Sequence, residues 1–409
     1  MRLITSFTIA IIICMLLVQL ACKKNDNIQN DNQKKIDYVV DTVRLGVEAK
    51  LGKVVPSLNI YIQTPDGSWF SSSAGEGYTT MTENTFFRFA SNTKNFTSAA
   101  ALIMQQDGWL NINDKITDTI PGGDIPYVPN TVEWDFPYKD QITIKMLLNH
   151  SAGVYDVDND SVPGYAPYSY TQFTQYMEPN HQFTATEMVN QLIINNLFYF
   201  TPGEGKHYSN TGYAIAGEII GRIYSYHEGA EKHLTDYLHD KLYGEVNPIP
   251  LEMHFPYLAT DQDMPEPYAC GHELSSNGDV NELCGYNMSA QVAEGNGYST
   301  MKNLNTYIRT LLKAENVLTA ESVDLMKNSV STGDPNYGLG CFYKENLGYG
   351  HNGARVGNLT LMIYDPVYDV SFISYTNAID ENDFVTSIMS IYDVAYAARE
   401  ALGYPGKIE

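Results

Sequence analysis

Apolar residues along the chain fall into three kinds of pattern. The first is a continuous run, Leu3 to Ala21, broken only by Thr5, Ser6, Thr8 and Gln19. Behind the positive Met1-Arg2 it suits a secretory h-region, and it is also just long enough to span a membrane. Residues 23–35 then carry, apart from Ile28, only Asn, Asp, Gln and Lys. With so little to bury, this stretch is expected to be a flexible tether. The second pattern is helical. Ile36, Val39, Val40, Val43 and Val47 recur at three- and four-residue steps, and Phe384, Ile388, Ile391 and Ala395 repeat them at the far end. The third is strand-like. Ser57–Gln63 and Ser68–Ser72 are joined through the hairpin signal Pro65-Asp66-Gly67, and Gly338–Lys344, Asn358–Tyr364 and Val370–Tyr375 follow late in the chain.

Between these ends, helical stretches around Lys145–Leu148, Ala185–Asn195, Thr211–Tyr224 and Glu231–Leu242 alternate with aromatic and Pro/Gly-rich loops. The simplest assembly is α/β (α+β): an antiparallel sheet flanked by the N- and C-terminal helices, with a mainly helical lobe inserted into it. Residues 36–100 and 291–409 form the sheet lobe and residues 101–290 the helical lobe, with a cleft between them as the natural place for a site. Tyr155, Tyr165, Tyr168, Tyr170 and Tyr176 crowd one region, which is expected to be a surface loop packed by its own rings.

Composition narrows the function. A chain of 409 residues with 44% hydrophobic and 18% charged content is a folded globular protein. Its formal charge of −23 repels nucleic acid and anionic membrane surfaces, so membrane attachment requires a hydrophobic anchor. Cys22, after Leu20-Ala21 and before a polar stretch, resembles the lipidated cysteine of a bacterial lipobox, although Gln19 stands where an aliphatic residue is usual. The expectation is a signal peptide over residues 1–22, a lipid anchor at Cys22, and an exported, membrane-anchored protein of the periplasm or outer envelope. Cys270 and Cys284 are open to two alternatives, a small local disulfide or, with Cys341, buried thiols. His227, His233 and His239 have no HExxH spacing, and no metal or organic cofactor is implied.

The candidate chemistry begins at Ser91-Asn92-Thr93-Lys94, ahead of Phe96, Ala99, Ala100 and Ile103 on one helical face. Residues three apart on a helix are neighbours, so Lys94 can serve Ser91 as a base if its amine is desolvated and neutral. The pattern alone is weak, since Ser299-Thr300-Met301-Lys302 also fits. Order separates them. Ser91 is followed by Tyr208-Ser209-Asn210 and then His351-Asn352-Gly353, whereas Ser299 lacks the last of these and is better explained as a helix N-cap.

With these three motifs in order, and with Leu147-Leu148-Asn149-His150-Ser151-Ala152-Gly153 between them, the chain resembles the class C β-lactamase and serine D,D-carboxypeptidase family, whose members carry S-x-x-K, Y-x-N and K/H-x-G. The likeness runs from about Tyr38 to the C-terminus. It implies the penicillin-recognising, β-lactamase-like fold and an acyl-enzyme on Ser91. Lys94 and Tyr208 would share the proton work, the tyrosine with a pKa lowered by the ammonium beside it. Asn210 would bond Lys94 or a substrate amide, His351 would sit at the sheet edge and donate to the hydroxyl network or a substrate carboxylate, and the backbone N–H groups of Ser91 and Ala354, next to Gly353, would form the oxyanion hole. His351 replaces the lysine of true β-lactamases of this family, which turns the expectation from penicillin turnover towards D,D-carboxypeptidase or D-amino-acid peptidase activity. Small D-amino-acid-containing peptides or esters, with peptidoglycan as one source, are the implied substrates. An esterase or β-lactamase of the same fold and a non-catalytic cell-wall peptide receptor are the alternatives.

Overall fold

The computed structural model describes residues 29–275 and 280–408. The apolar run Leu3–Ala21, Cys22 and residues 23–28 of the expected tether lie outside them. Residues 29–35 are not a tether. They are the first turns of a helix, α1 (residues 29–51). The segment docks by polar contacts that a hydrophobicity pattern does not register. Gln29 Nε2 donates to the Asp66 carbonyl, Gln33 Nε2 donates to the Phe70 carbonyl, and Trp69 Nε1 donates to the Gln29 carbonyl. Among the described residues no helix is long and apolar enough to cross a membrane.

The strands are β1 (Ser57–Thr64), β2 (Gly67–Ala74), β3 (Phe87–Arg88), β4 (Met253–His254), β5 (Gly271–Leu274), β6 (Val280–Leu283), β7 (Tyr298–Ser299), β8 (Phe342–Lys344), β9 (Gly348–Arg355), β10 (Asn358–Asp365), β11 (Val370–Thr376) and β12 (Ala378–Asp380). After α1, the helices are α2 (Thr93–Gln106), α3 (Ile144–Leu148), α4 (Tyr170–Met177), α5 (Ala185–Ile194), α6 (Asn210–Glu228), α7 (Leu234–Leu238), α8 (Met301–Leu312), α9 (Ala320–Asn328) and α10 (Phe384–Ala401).

A six-stranded antiparallel sheet, ordered β2-β1-β11-β10-β9-β8, joins the two ends of the chain, with Ile60 of β1 opposite Ser374 of β11. Strand alternation sorts its side chains onto two faces. Leu58, Ile60, Ile62, Leu359, Leu361, Ile363 and Phe372 pack outward against Ile36 and Val40 of α1 and Ile391, Val394 and Ala398 of α10. Tyr61, Met362, Tyr364, Ile373 and Tyr375 point inward into the larger core, shared with α2, α6 and α8. Both faces are covered, so β10 and β11 are buried along their whole length.

The sheet differs from expectation where glycine is dense. β8 begins at Phe342 rather than Gly338, and β9 carries Gly348, Gly350 and Gly353, which hide the period-two pattern. In the helical lobe, Tyr170 and Tyr176 belong to α4, started by a Ser169–Gln172 capping box, so only part of the tyrosine-rich region is loop. Tyr165 does pack edge-on against Tyr170 and Phe173. Cys270 and Cys284 form a disulfide at the base of the β5–β6 hairpin, whose tip, residues 276–279, lies outside the described residues, and Cys341 is a buried thiol. A second small sheet, β3-β7-β4, holds the approach to the candidate nucleophile.

Candidate functional site

Ser91 lies in a single turn of 3-10 helix, Ala90–Asn92, that feeds into α2. Ala90 has φ +48°, the left-handed region a non-glycine residue enters only when its surroundings force it. The turn sets Ser91 at the N-terminal end of α2, where backbone N–H groups favour developing negative charge. α2 is buried from Thr93 to Met104, a central helix without a solvent face, which is why Lys94 is fully buried.

Lys94 Nζ is 3.3 Å from Ser91 Oγ, 2.7 Å from Asn210 Oδ1 and 3.1 Å from the Glu294 carbonyl oxygen. Burial lowers its pKa to about 8 against the opposing pull of Glu294, Asp156 and Asp158. Two of its three partners are pure acceptors, so a neutral amine keeps two N–H bonds there and turns its lone pair to Ser91.

Tyr208 lies beneath the amine, with Lys94 Nζ 4.7 Å from its ring centroid, and its hydroxyl is hydrogen-bonded to Ser91. The expected lowering of its pKa is not found. Burial pushes the phenol well above its usual value, with Tyr213, Asp156 and Glu294 acting in the same direction. Asn210 is the first residue of α6; the helix cap is its neighbour Ser209, whose hydroxyl accepts from the Gly212 N–H. Asn210 instead bridges Lys94 to Asp158, donating through Nδ2 at 2.6 Å.

His351 also departs from expectation. β8 pairs with β9 only as far as Gly350, so His351 does lie where β9 becomes the edge of the sheet, but its side chain is turned inward and is 1% exposed. The cleft face of this stretch is presented by Asn352, Ala354 and Arg355. Its partners define one direction of hydrogen bonding. The Ser209 N–H donates to His150 Nδ1, His150 Nε2 donates to Tyr337 Oη at 3.2 Å, Tyr337 donates to His351 Nε2 at 2.8 Å, and His351 Nδ1 donates to the Asn352 carbonyl. Both imidazoles are neutral in that chain. Burial and the nearby Lys94 push His351 down to about 3, so it supplies no cation for a carboxylate. The rings hold Tyr208 in place, with His150 tilted against it at 4.2 Å between ring centroids.

Gly353 marks where β9 passes the nucleophile turn. A Cβ there would lie 2.3 Å from the Phe89 carbonyl oxygen and 2.9 Å from the Ser91 nitrogen. Gly353→Ala is therefore expected to cost about 1–3 kcal/mol of stability through overpacking and to lower activity more than its stability loss explains. Thermal unfolding and turnover on the same sample check this; unchanged turnover would show that the turn has room to move. The rival Ser299 lies in β7 and donates to the Glu252 carbonyl, while Thr300, not Ser299, caps α8.

Several site residues were not legible in the sequence. Asp158 is buried and receives both terminal nitrogens of Arg355 at 3.1 Å. Burial works to raise its pKa, but Arg355 and hydrogen bonds from Thr171, Asn210 and Gln291 hold it below its ordinary value. Asp156, beside it, is pushed up to about 6 by burial and by Asp158. Burial holds Glu294 well above the carboxylate range. In sequence, Asp156-Val157-Asp158-Asn159-Asp160 is indistinguishable from a solvated acidic loop. A cavity of about 360 Å³ opens over these groups, lined by Ser91, Tyr208, Asn210, Gln291, Glu294 and Arg355, with Ile379 and Phe384 as its apolar part.

The family model described as Beta-lactamase matches residues 46–391. The chain belongs to the β-lactamase family. Its fold is α/β, with residues of the three expected motifs meeting around one cavity. Penicillin-binding protein 4* of Bacillus subtilis is 30% identical over 152 residues, covering 35% of this chain and 28% of that protein. Protein flp of Staphylococcus aureus is 27% identical over 200 residues, covering 47% of this chain and 34% of that protein. The chain thus spans about a third or less of the curated relatives it matches. Among solved structures, the D-amino acid amidase from Ochrobactrum anthropi SV3, complexed with D-phenylalanine, superposes with a TM-score of 0.71 at 21% identity, covering 91% of this chain and 99% of that one. The D-stereospecific amidohydrolase from a Streptomyces species gives a TM-score of 0.66 at 22% identity, covering 86% and 97%. These two likenesses are of fold.

Proposed function

We propose that this β-lactamase-family hydrolase cleaves amide bonds in small D-amino-acid compounds, as a D-amino-acid amidase or peptidase, through an acyl-enzyme on Ser91. The observation that supports it most is the environment of Lys94. Its buried amine has a pKa of about 8, and its two pure acceptors leave the lone pair for Ser91 Oγ.

Ser91 Oγ attacks the substrate carbonyl while its proton passes to Lys94 Nζ. The tetrahedral oxygen is met by the N–H groups of Ser91 and Ala354, which lie beside each other where β9 passes the turn. As the C–N bond breaks, Tyr208, held as a neutral phenol, donates its proton to the leaving amine and is reprotonated from Lys94. Water then adds to the acyl carbonyl, giving up its proton to the same pair, and Ser91 leaves with a proton restored. The net change is amide plus water to acid plus amine. His351 and His150 hold Tyr208 rather than exchange protons with substrate. A neutral His351 disfavours a carboxylate-anchored β-lactam, which supports an amidase over a β-lactamase. The amidase and amidohydrolase neighbours, one with D-phenylalanine bound, favour the same substrate class. The apolar run and Cys22 support export and lipid anchoring of the enzyme to an envelope membrane; equal palmitate labelling of the native protein and Cys22→Ala would refute the anchor.

The test is a panel of D- and L-amino-acid amides, D-Ala-D-Ala peptides and simple esters, run beside intact-mass measurement after exposure to penicillin. Selective turnover of the D-amides, with no stable penicillin adduct, is the expected result. Equal rates on both enantiomers, or on esters alone, would refute the D-amidase assignment. A stable penicillin adduct would point to a D,D-peptidase.

A further inference from the structure

Three buried oxygens beside the cavity lack a partner among the described residues. Glu294 and Gln291 are each 1% exposed, both line the cavity with Ser91, and Glu294 Oε1, Glu294 Oε2 and Gln291 Oε1 have no hydrogen-bond partner there. The orientation of Gln291 is determined by its other end, because Nε2 donates to Asp158 Oδ1 at 2.8 Å and only an N–H can face a carboxylate. An unmade hydrogen bond on a buried acceptor costs about 1–3 kcal/mol, so a group of three requires a reason. The charged and amide donors beside these acceptors are already used: Arg355 and Asn210 Nδ2 are committed to Asp158, and Lys94, beneath the cavity, to Asn210 Oδ1 and the Glu294 carbonyl.

Charge points the same way. Burial favours the neutral carboxyl of Glu294, so Asp156 and Asp158 alone face Lys94 and Arg355, and the acids outnumber the cations once Lys94 loses its proton to act as a base. A ligand group with several N–H donors and a positive charge satisfies both conditions, whereas a carboxylate or a neutral acyl chain satisfies neither.

We propose that Gln291 and Glu294 form a subsite for the primary ammonium of the substrate, so that the enzyme selects amides carrying a free α-amino group over their N-acylated counterparts. This rests on the amidase function proposed above and adds its specificity. Neither residue touches the bonds that break; both are specificity determinants that place the scissile carbonyl over Ser91.

Binding rather than turnover provides the test, so that it stands apart from the question of activity. In a Ser91→Ala background, D-phenylalaninamide and N-acetyl-D-phenylalaninamide are titrated by calorimetry, then again with Glu294→Gln added. One charge-assisted hydrogen bond predicts a preference of at least about 10-fold for the free amine, lost in the double variant. Equal affinity of the two ligands for the Ser91→Ala protein overturns the proposal, as does a preference that survives Glu294→Gln. Should the double variant fail to fold, the comparison of the two ligands with Glu294 intact still decides. Absence of D-amide turnover by the wild type, with the binding preference present, would instead refute the amidase function and leave the ammonium subsite standing.

Discussion

Replacing Ser91 with alanine is expected to remove acyl transfer altogether, a loss of about 10⁴–10⁶ in kcat, while the protein folds as before. Nucleophile removal in an acyl-enzyme mechanism leaves only binding and oxyanion stabilisation, which is why the loss is so large. Stability should hardly change. Ser91 is one of three hydrogen-bond partners of Lys94, and the two acceptors Asn210 Oδ1 and the Glu294 carbonyl remain. Truncation by a single oxygen at a cavity wall is worth about 0.5–1 kcal/mol. The measurement is turnover of any accepted amide or ester together with intact mass after exposure to an acylating reagent. Catalysis surviving Ser91→Ala would remove this serine from the mechanism.

Lys94→Ala should lower kcat/KM by about 10²–10⁴, the range for a positioned general base, and should also change the pH profile. The base acts only when unprotonated. With its pKa lowered to about 8, wild-type kcat/KM rises with pH and levels off above that value, and the rising limb disappears in the variant. His351, Asp156 and Tyr208 do not mimic it. His351 titrates near 3 and Asp156 near 6, and burial keeps Tyr208 protonated well above its ordinary value. A wild-type profile flat between pH 7 and 9 would exclude Lys94 as the titrating base.

Much of the framework was legible before the structure. The periodic apolar residues of α1 and α10 and the alternating residues of β1, β10 and β11 are long, regular patterns whose buried faces leave little choice of element. The order of the three motifs separated Ser91 from Ser299, because catalytic groups that share a cavity must occur together. The failures have physical causes. β9 was missed because glycines that let it pass close to Phe89 and Ser91 also remove the side chains that reveal a strand. The start of α1 was missed because glutamine hydrogen bonds, rather than apolar contacts, dock it.

By itself the sequence determined the fold class and the family resemblance, and it singled out Ser91 and Lys94 by their spacing and Tyr208 by the motif order that the resemblance supplies. Only the tertiary structure decided their electrostatics. A pKa depends on what surrounds a group in space, and residues distant in sequence set those surroundings: β9, α6 and residues 291–294 bury Lys94, hold Tyr208 as a phenol and enclose His351 as a neutral imidazole. The acidic cluster at the cavity arises in the same way, from Glu294 in its wall and Asp158 buried behind it, which lie far apart along the chain and act together only once it is folded.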